Sequence, residues 1–252
     1  MARVFYCLPS DILSYAATWS LTSGTANSAF PLANLNSVRA DRVSKLNETS
    51  GTYRGTISSH AVQAVAFINC NLPGLTIPIT NNNAMASTNL IIPAASPDNL
   101  SINGFVDLRA VTTAATQWNA AVPVNSANVA VGKILLIGTL REMVIRWRPR
   151  MPERKPNLIQ RTDRDVALGF KLGVRYRQLA IALMRESQRA AYTTLRRGSS
   201  GPQEPFLFIL DTAVNDPMYV WFPQDEWTHQ RESSSVTTWD DLLEEVNPGL
   251  AL

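Results

Sequence analysis

With 252 residues, 45% of them hydrophobic and 17% charged, the chain has enough apolar material for a buried core and too little charge for a disordered polymer. Its length allows one large domain or two smaller ones. The formal net charge of +3 excludes a uniformly basic or acidic surface, but it hides a segregation. Residues 1–140 carry 7 positive and 5 negative groups, residues 141–197 carry 15 and 5, and residues 198–252 carry 1 and 10.

From the start of the chain, Met1 to Leu8 runs into Pro9 and Asp11 before an apolar leader could form, so no secretory signal is expected. Val62 to Ile68 is a strand-length apolar run that stops at the turn formers Asn69, Asn71 and Pro73-Gly74. Asn81-Asn82-Asn83 and Ser96-Pro97-Asp98-Asn99 read as loops, because Asn and Asp side chains bond the local backbone and tolerate left-handed geometry. Leu90 to Ile92, Phe105 to Leu108 and Lys133 to Ile137 are further short strands. The longest apolar stretch, Ile134 to Ile137 with its neighbours, is about half a membrane span and is preceded by Lys133, so no transmembrane helix is expected. Many short strands with frequent turn signals predict an antiparallel sandwich or barrel.

Three prolines between Arg148 and Pro156 disfavour both helix and central strand, which places a domain boundary near residue 150. Beyond it, Arg177 to Leu183 alternates as a strand. Glu186 to Arg197, stopped by Gly198, is the one helix predicted. Pro205 to Leu210 and Met218 to Phe222 are strands, and Trp239 to Val246 reads as a strand with acidic outward positions. The fold predicted is all-β: an N-terminal sandwich over residues 1–149, and a smaller antiparallel β domain over 150–252 with one short helix at 186–197.

No nucleophile or phosphate-cradling motif accompanies His60 or His229, and no Gly-x-Ser-x-Gly occurs. Asp225-Glu226 and Asp240-Asp241 are adjacent pairs, which a strand points to opposite faces, so neither makes an acid–base dyad. Cys7 and Cys70 read as small buried hydrophobes. The chain is therefore expected to be non-enzymatic, with no catalytic, metal-binding or cofactor-binding residue. The tryptophans Trp19, Trp118, Trp147, Trp221, Trp227 and Trp239 suit a sugar site or, more commonly, a core or subunit interface.

The basic band is nearly all arginine, with Trp147 and Tyr176 interleaved. Nucleic acid would use it by neutralising phosphates. Arginine also makes fixed bidentate ion pairs between proteins, and an acidic segment of similar size follows. The interface candidates are Arg148, Arg150, Arg154, Arg175 and Arg177 on the basic side, with Asp240, Asp241, Glu244 and Glu245 on the acidic side.

The run Phe30-Pro31-Leu32-Ala33-Asn34-Leu35, then Arg39 to Val43, then Val62 to Leu72, resembles the opening of galactose-binding-like (discoidin-type) β-sandwiches found in bacteriophage tail proteins. Val131 to Gly138 is similar to the closing strand of such domains. Gly173 to Leu179, the 186–197 helix and Leu243 to Val246 resemble their companion β domain. The resemblance implies a jelly-roll sandwich in a virion structural protein of a tailed phage, assembled with copies of itself as a ring in the tail tip or baseplate. It would sit beside other tail proteins in the virion, and in the host cytoplasm during assembly. The alternative is a carbohydrate-binding or host-receptor-recognition module of a tail protein, and the third reading is nucleic-acid binding. Sugar-binding positions of other discoidin-type domains have no position-by-position match here.

Overall fold

The computed structural model describes residues 2–38, 42–94 and 102–145, followed by 153–154, 157–161, 167–171, 176–185, 189–199, 205–209, 217–222, 228–231 and 236–245. The fold is antiparallel β with one short helix, as the sequence predicts. The chain opens with strand β1 (Ala2–Tyr6) and two 3-10 turns (Pro9–Asp11 and Leu13–Ala16). It then builds a nine-stranded sheet from β2 (Thr18–Ser23), β3 (Ser44–Lys45), β4 (Gly51–Ala61), β5 (Ala64–Cys70), β6 (Thr76–Asn81), β7 (Thr88–Ile91), β8 (Gly104–Asp107), β9 (Ala114–Val122) and β10 (Ala130–Ile137). The spatial order is β2-β4-β9-β6-β7-β8-β5-β10-β3. A third 3-10 turn, Leu32–Asn36, lies between β2 and β3.

Inward-facing residues of this sheet form one core, including Tyr53, Val65, Phe67, Ile77, Ile79, Trp118, Ile134 and Leu136. The strand predicted to stop before Asn69 continues through Cys70. Asn69 has a left-handed backbone (φ 52), which shifts the in-out alternation so that Phe67 and Cys70 both reach that core. Its amide donates to Asn103 Oδ1 at 2.7 Å, so the strained position is held by a buried side chain. Where β8 starts, a Cβ on Gly104 would lie 2.3 Å from Ile92 Cδ1 and 3.0 Å from the Ile91 carbonyl. Only glycine lets that strand approach so closely.

The second unit begins again on β11 (Arg141–Ile145), which lies antiparallel beside β1 with Ala2 opposite Ile145 and Tyr6 opposite Arg141. It continues with β12 (Glu153–Arg154), β13 (Asn157–Arg161), β14 (Ala167–Lys171), β15 (Tyr176–Arg185), helix α1 (Arg189–Gly198), β16 (Phe206–Ile209), β17 (Pro217–Trp221), β18 (Thr228–Arg231) and β19 (Val236–Glu245). Pairings run β15-β11-β1-β16-β17-β19, and β19 returns to β15, so six strands close into a ring. Closure leaves these six without a free edge over the paired stretches. Strands β13 and β14 form a separate two-stranded ladder. Of the Pro-rich connector, Glu153 and Arg154 pair with Arg177 and Tyr176 as a short strand; residues 146–152 and 155–156 lie outside the described set.

Tyr192 and Leu195, three apart on α1, are buried with Val4, Tyr6, Phe206, Phe208, Val220, Phe222 and Leu243. The helix is described from Arg189; residues 186–188 of the predicted span lie outside the described set. Its last turn is closed by the Ser199 hydroxyl, which donates to the Leu195 carbonyl. Arg196 lies 4.3 Å from the centre of the Phe222 ring, keeping a mostly buried cation over an aromatic face.

Every residue of β5 and β10 is buried. Their inner faces look into the sandwich core. Their outer faces, Ala64, Ala66, Ile68, Leu135 and Ile137, meet Phe5, Leu207, Ile209 and Tyr219 from the six-stranded ring. Burial on both faces explains why the Ile134–Ile137 stretch is continuously apolar rather than alternating. Two polar ties cross the same layer. Asn103 Nδ2 donates to the Pro217 carbonyl at 2.9 Å, and the Tyr219 hydroxyl, which meets that of Tyr15, donates to the Val38 carbonyl at 3.2 Å. Burial pushes the Tyr15 and Tyr219 hydroxyls well above the ordinary tyrosine range, so both stay protonated donors.

Candidate functional site

The charged residues singled out in the sequence divide by strand. Arg177 stands opposite Glu153 on β12, and Arg154 stands opposite Tyr176. On β19, Asp240 is opposite Thr228, Asp241 opposite Ile181, Glu244 opposite both Gln178 and Trp221, and Glu245 opposite Val220. The acidic strand is thus hydrogen-bonded to the arginine-bearing β15 within the same chain. Arg148, Arg150 and Arg175 lie outside the described residues. Two other cations are spoken for locally: Arg141 forms a two-pronged contact with Asp11 (3.2 Å for each hydrogen bond), and Arg109 forks onto Asp107.

His60 is exposed on β4 and its ring faces the Ser58 hydroxyl and carbonyl. His229 stands opposite Trp239 on β18. Cys7 belongs to the layer between the two units and Cys70 to the sandwich core. Burial pushes each thiol up to about 12, which keeps the sulfur protonated and unreactive at neutral pH. Among the described residues, no group of three His, Cys, Asp or Glu side chains converges to hold a metal ion.

A concave site assembles among the described residues, and of its lining the sequence analysis singles out Trp19 as a sugar-site candidate and Ala33 only within the Phe30–Leu35 run. A groove of about 370 Å³ is lined by Tyr15, Ala16, Ala17, Thr18, Trp19, Ala33 and Asn36. Its walls are the Leu13–Ala16 turn, the start of β2 and the Leu32–Asn36 turn. Asn36 fixes the walls together: its side-chain amide donates to the carbonyls of Ser14 (3.1 Å), Tyr15 (3.1 Å) and Ala17 (2.7 Å). The Leu32–Asn36 turn is pinned in addition by the fully buried Lys133, whose ammonium donates to the Asn34 carbonyl at 2.8 Å. Asn34 in turn donates to the Val43 carbonyl at 2.7 Å.

Trp19 lies across from Gly55 on β4. A Cβ on Gly55 would be 3.1 Å from two indole carbons and 3.0 Å from Leu136 Cδ1, so the missing side chain makes room for the ring. The indole is partly exposed to the groove while its inner part packs on the core. Of the other tryptophans, Trp118 is buried in the sandwich core, Trp221 is partly exposed on β17, and Trp239 is on β19. Trp147 and Trp227 lie outside the described residues. Among the described residues, no charged side chain lines the groove. Its lining combines two aromatic residues, Tyr15 and Trp19, with a carboxamide residue, a threonine and three alanines.

No family model matches the chain, and no curated protein matches it. Solved structures with similarity to it include the family 32 carbohydrate-binding module of Clostridium perfringens NanJ in complex with galactose, at 11% identity over 55% of this chain and 99% of that one, TM-score 0.39. A Streptococcus pneumoniae fucose binding module, SpX-3, is similar at 8% identity over 50% of this chain and 96% of that one, TM-score 0.38. The lectin domain of lectinolysin complexed with Lewis b antigen is similar at 10% identity over 52% of this chain and 98% of that one, TM-score 0.40. The likeness extends over about half of this chain.

Proposed function

We propose that the chain is a non-enzymatic recognition and assembly protein, in which a galactose-binding-like sandwich that binds carbohydrate is mounted on a six-stranded platform. The observation that carries this reading is the insertion. The sandwich enters from β1 and leaves into β11, neighbouring strands of the platform, and the platform packs on its outer β5–β10 face. That construction holds the module on its β5–β10 face. The carbohydrate-binding structures with partial likeness fit the same reading, as do the discoidin-type motifs between Phe30 and Leu72.

The finer part of the proposal places the protein in the tail tip or baseplate of a tailed bacteriophage, built into a ring with its own copies, with a host-surface glycan as target. It rests on the sequence resemblance to tail proteins. Because β15 and β19 are neighbours in one chain, much of the charge segregation can be balanced within each subunit. Ring contacts are therefore expected to draw on other surfaces as well as on these charges. The deciding experiment presents the full chain to an array of neutral and anionic glycans and, in parallel, images it by negative-stain electron microscopy. Binding to a defined glycan class together with closed rings is the expected outcome. Absence of glycan binding overturns the recognition role, and a dispersed monomer at high concentration overturns the ring.

A further inference from the structure

We infer that the groove between the Leu13–Ala16 turn, β2 and the Leu32–Asn36 turn is the seat of the glycan, and that it takes a single neutral sugar ring. The inference rests on the carbohydrate-binding reading above and names its site and ligand class. The volume of about 370 Å³ is at the lower end of the range for small-ligand sites, large enough for one pyranose and its nearest linkage. The chemistry of the lining then selects the ligand. A pyranose has a face of C–H groups and a rim of hydroxyls. The partly exposed Trp19 surface suits the first, and the Asn36 Oδ1 and the exposed Thr18 hydroxyl suit the second.

Asn36 has its amide nitrogen committed to three backbone carbonyls, which leaves its side-chain oxygen as the acceptor toward a ligand hydroxyl. The same three bonds hold the groove open in a fixed shape, so little ordering is required on binding. Among the described residues no lysine or arginine lines the site, so there a sialic acid, uronate or sulfated sugar would lose hydration of its charge without gaining a partner. Two or three hydrogen bonds and one stacked face imply weak binding per site. Several copies in one assembly would raise the effective affinity by presenting many grooves to one surface.

The test titrates the isotopically labelled full chain with methyl β-D-galactoside, methyl α-L-fucoside, methyl β-N-acetylglucosaminide and N-acetylneuraminic acid, read by nuclear magnetic resonance. The groove predicts that at least one neutral glycoside, and not the sialic acid, shifts the resonances of Thr18, Trp19 and Asn36 with a millimolar dissociation constant. Ala33→Trp and Ala16→Arg, both at exposed positions on the rim, should each weaken that binding at least tenfold without moving the thermal transition. Thr18→Ala should weaken it severalfold. If a neutral sugar binds wild type and both rim variants equally, the groove is the wrong seat while the carbohydrate-binding reading stands. If only the charged sugar binds, the neutral-ligand assignment is wrong. If no glycan on the array and no probe binds, the reading and the groove both fall. Because the two blocking variants sit on different turns, loss of folding in one leaves the other to decide.

Discussion

The nine-stranded sandwich and the six-stranded ring bury similar kinds of residue but are assembled in different ways. The sandwich is drawn from one continuous stretch, Thr18 to Ile137, and its core closes within that stretch. The ring recruits its strands from both ends of the chain: β1 pairs with β11 on one side and with β16, some 200 residues later, on the other. A sandwich of this kind can form as soon as its own segment exists. The ring must wait for its last strand, β19, because β19 bonds to both β15 and β17. Closing contacts across so long a loop costs more chain entropy and is slower. The two regions therefore differ in how independently each can stand.

The sharpest way to break the comparison is to delete residues 1–8. That removes Val4 and Tyr6 from the ring's core and Phe5 from the layer between the units. Each truncation of a large core residue costs roughly 2–5 kcal/mol, and the sum reaches the whole stability of a typical domain. The ring is expected to lose its fixed packing while the sandwich keeps dispersed resonances and its buried-tryptophan fluorescence. An unchanged thermal transition in the truncated protein would show that β1 is dispensable, and the contrast between the regions would collapse.

Leu207→Ala probes the layer they share, since Leu207 is fully buried against the sandwich rather than in the ring's own core. A loss of about 2–5 kcal/mol is expected. Denaturant unfolding followed by probes in each region should show the two transitions drawing apart. If they remain superimposed, the two units unfold as one body and the layer is not the weak plane.

Alkaline titration separates the regions by a different route. The buried thiols have their folded pKa raised to about 12 from an ordinary value of 9. The unfolded chain therefore releases these protons first. Their contribution is complete below pH 9 and declines as pH rises from there toward 12, by roughly a few kcal/mol per thiol at most. Cys7→Ala should flatten the loss in the shared layer, and Cys70→Ala the loss in the sandwich. Stability that does not fall above pH 9 in chemical denaturation would contradict the burial of these sulfurs.

The smallest effect belongs to the Arg141–Asp11 contact, which ties β11 to the turn after β1. Its guanidinium is more than a third exposed, so Arg141→Ala should cost no more than about 0–1 kcal/mol and should matter less in high salt. A larger loss would mean that this pair, rather than the apolar layer, holds the insertion in place.

Much of this architecture is legible in the residues themselves. The Ala64–Ile68 and Ile134–Ile137 runs are apolar on both faces and belong to strands buried on both sides. The Phe206–Ile209 and Met218–Trp221 stretches are legible for the same reason. The helix stop at Gly198 follows from composition as well. Other parts are not. Ala2–Tyr6 is too short to announce a strand, and nothing local shows that its partners are Arg141–Ile145 and Phe208–Ile209. The eleven-residue β4, rich in Gly, Thr and Ser, has little strand propensity, and it forms because β2 and β9 flank it. The groove was half visible. Trp19 stands out as a tryptophan, but its partnership with Gly55, and the reach of Asn36 back to three carbonyls over about twenty residues, depend on tertiary closure.

The pairing of Tyr6 with Arg141 has a consequence for how such a molecule can be remodelled. The chain leaves the platform and returns to it on adjacent antiparallel strands, so 134 residues depart and come back through one doorway about one strand spacing wide. A two-residue Asn-Gly turn could span that doorway and convert β1 and β11 into a hairpin. The sandwich thus behaves as a cassette: any domain with neighbouring ends fits the same socket without altering the connectivity of the ring. What a replacement must also bring is an apolar face, because Phe5, Leu207, Ile209 and Tyr219 would otherwise be left open to water.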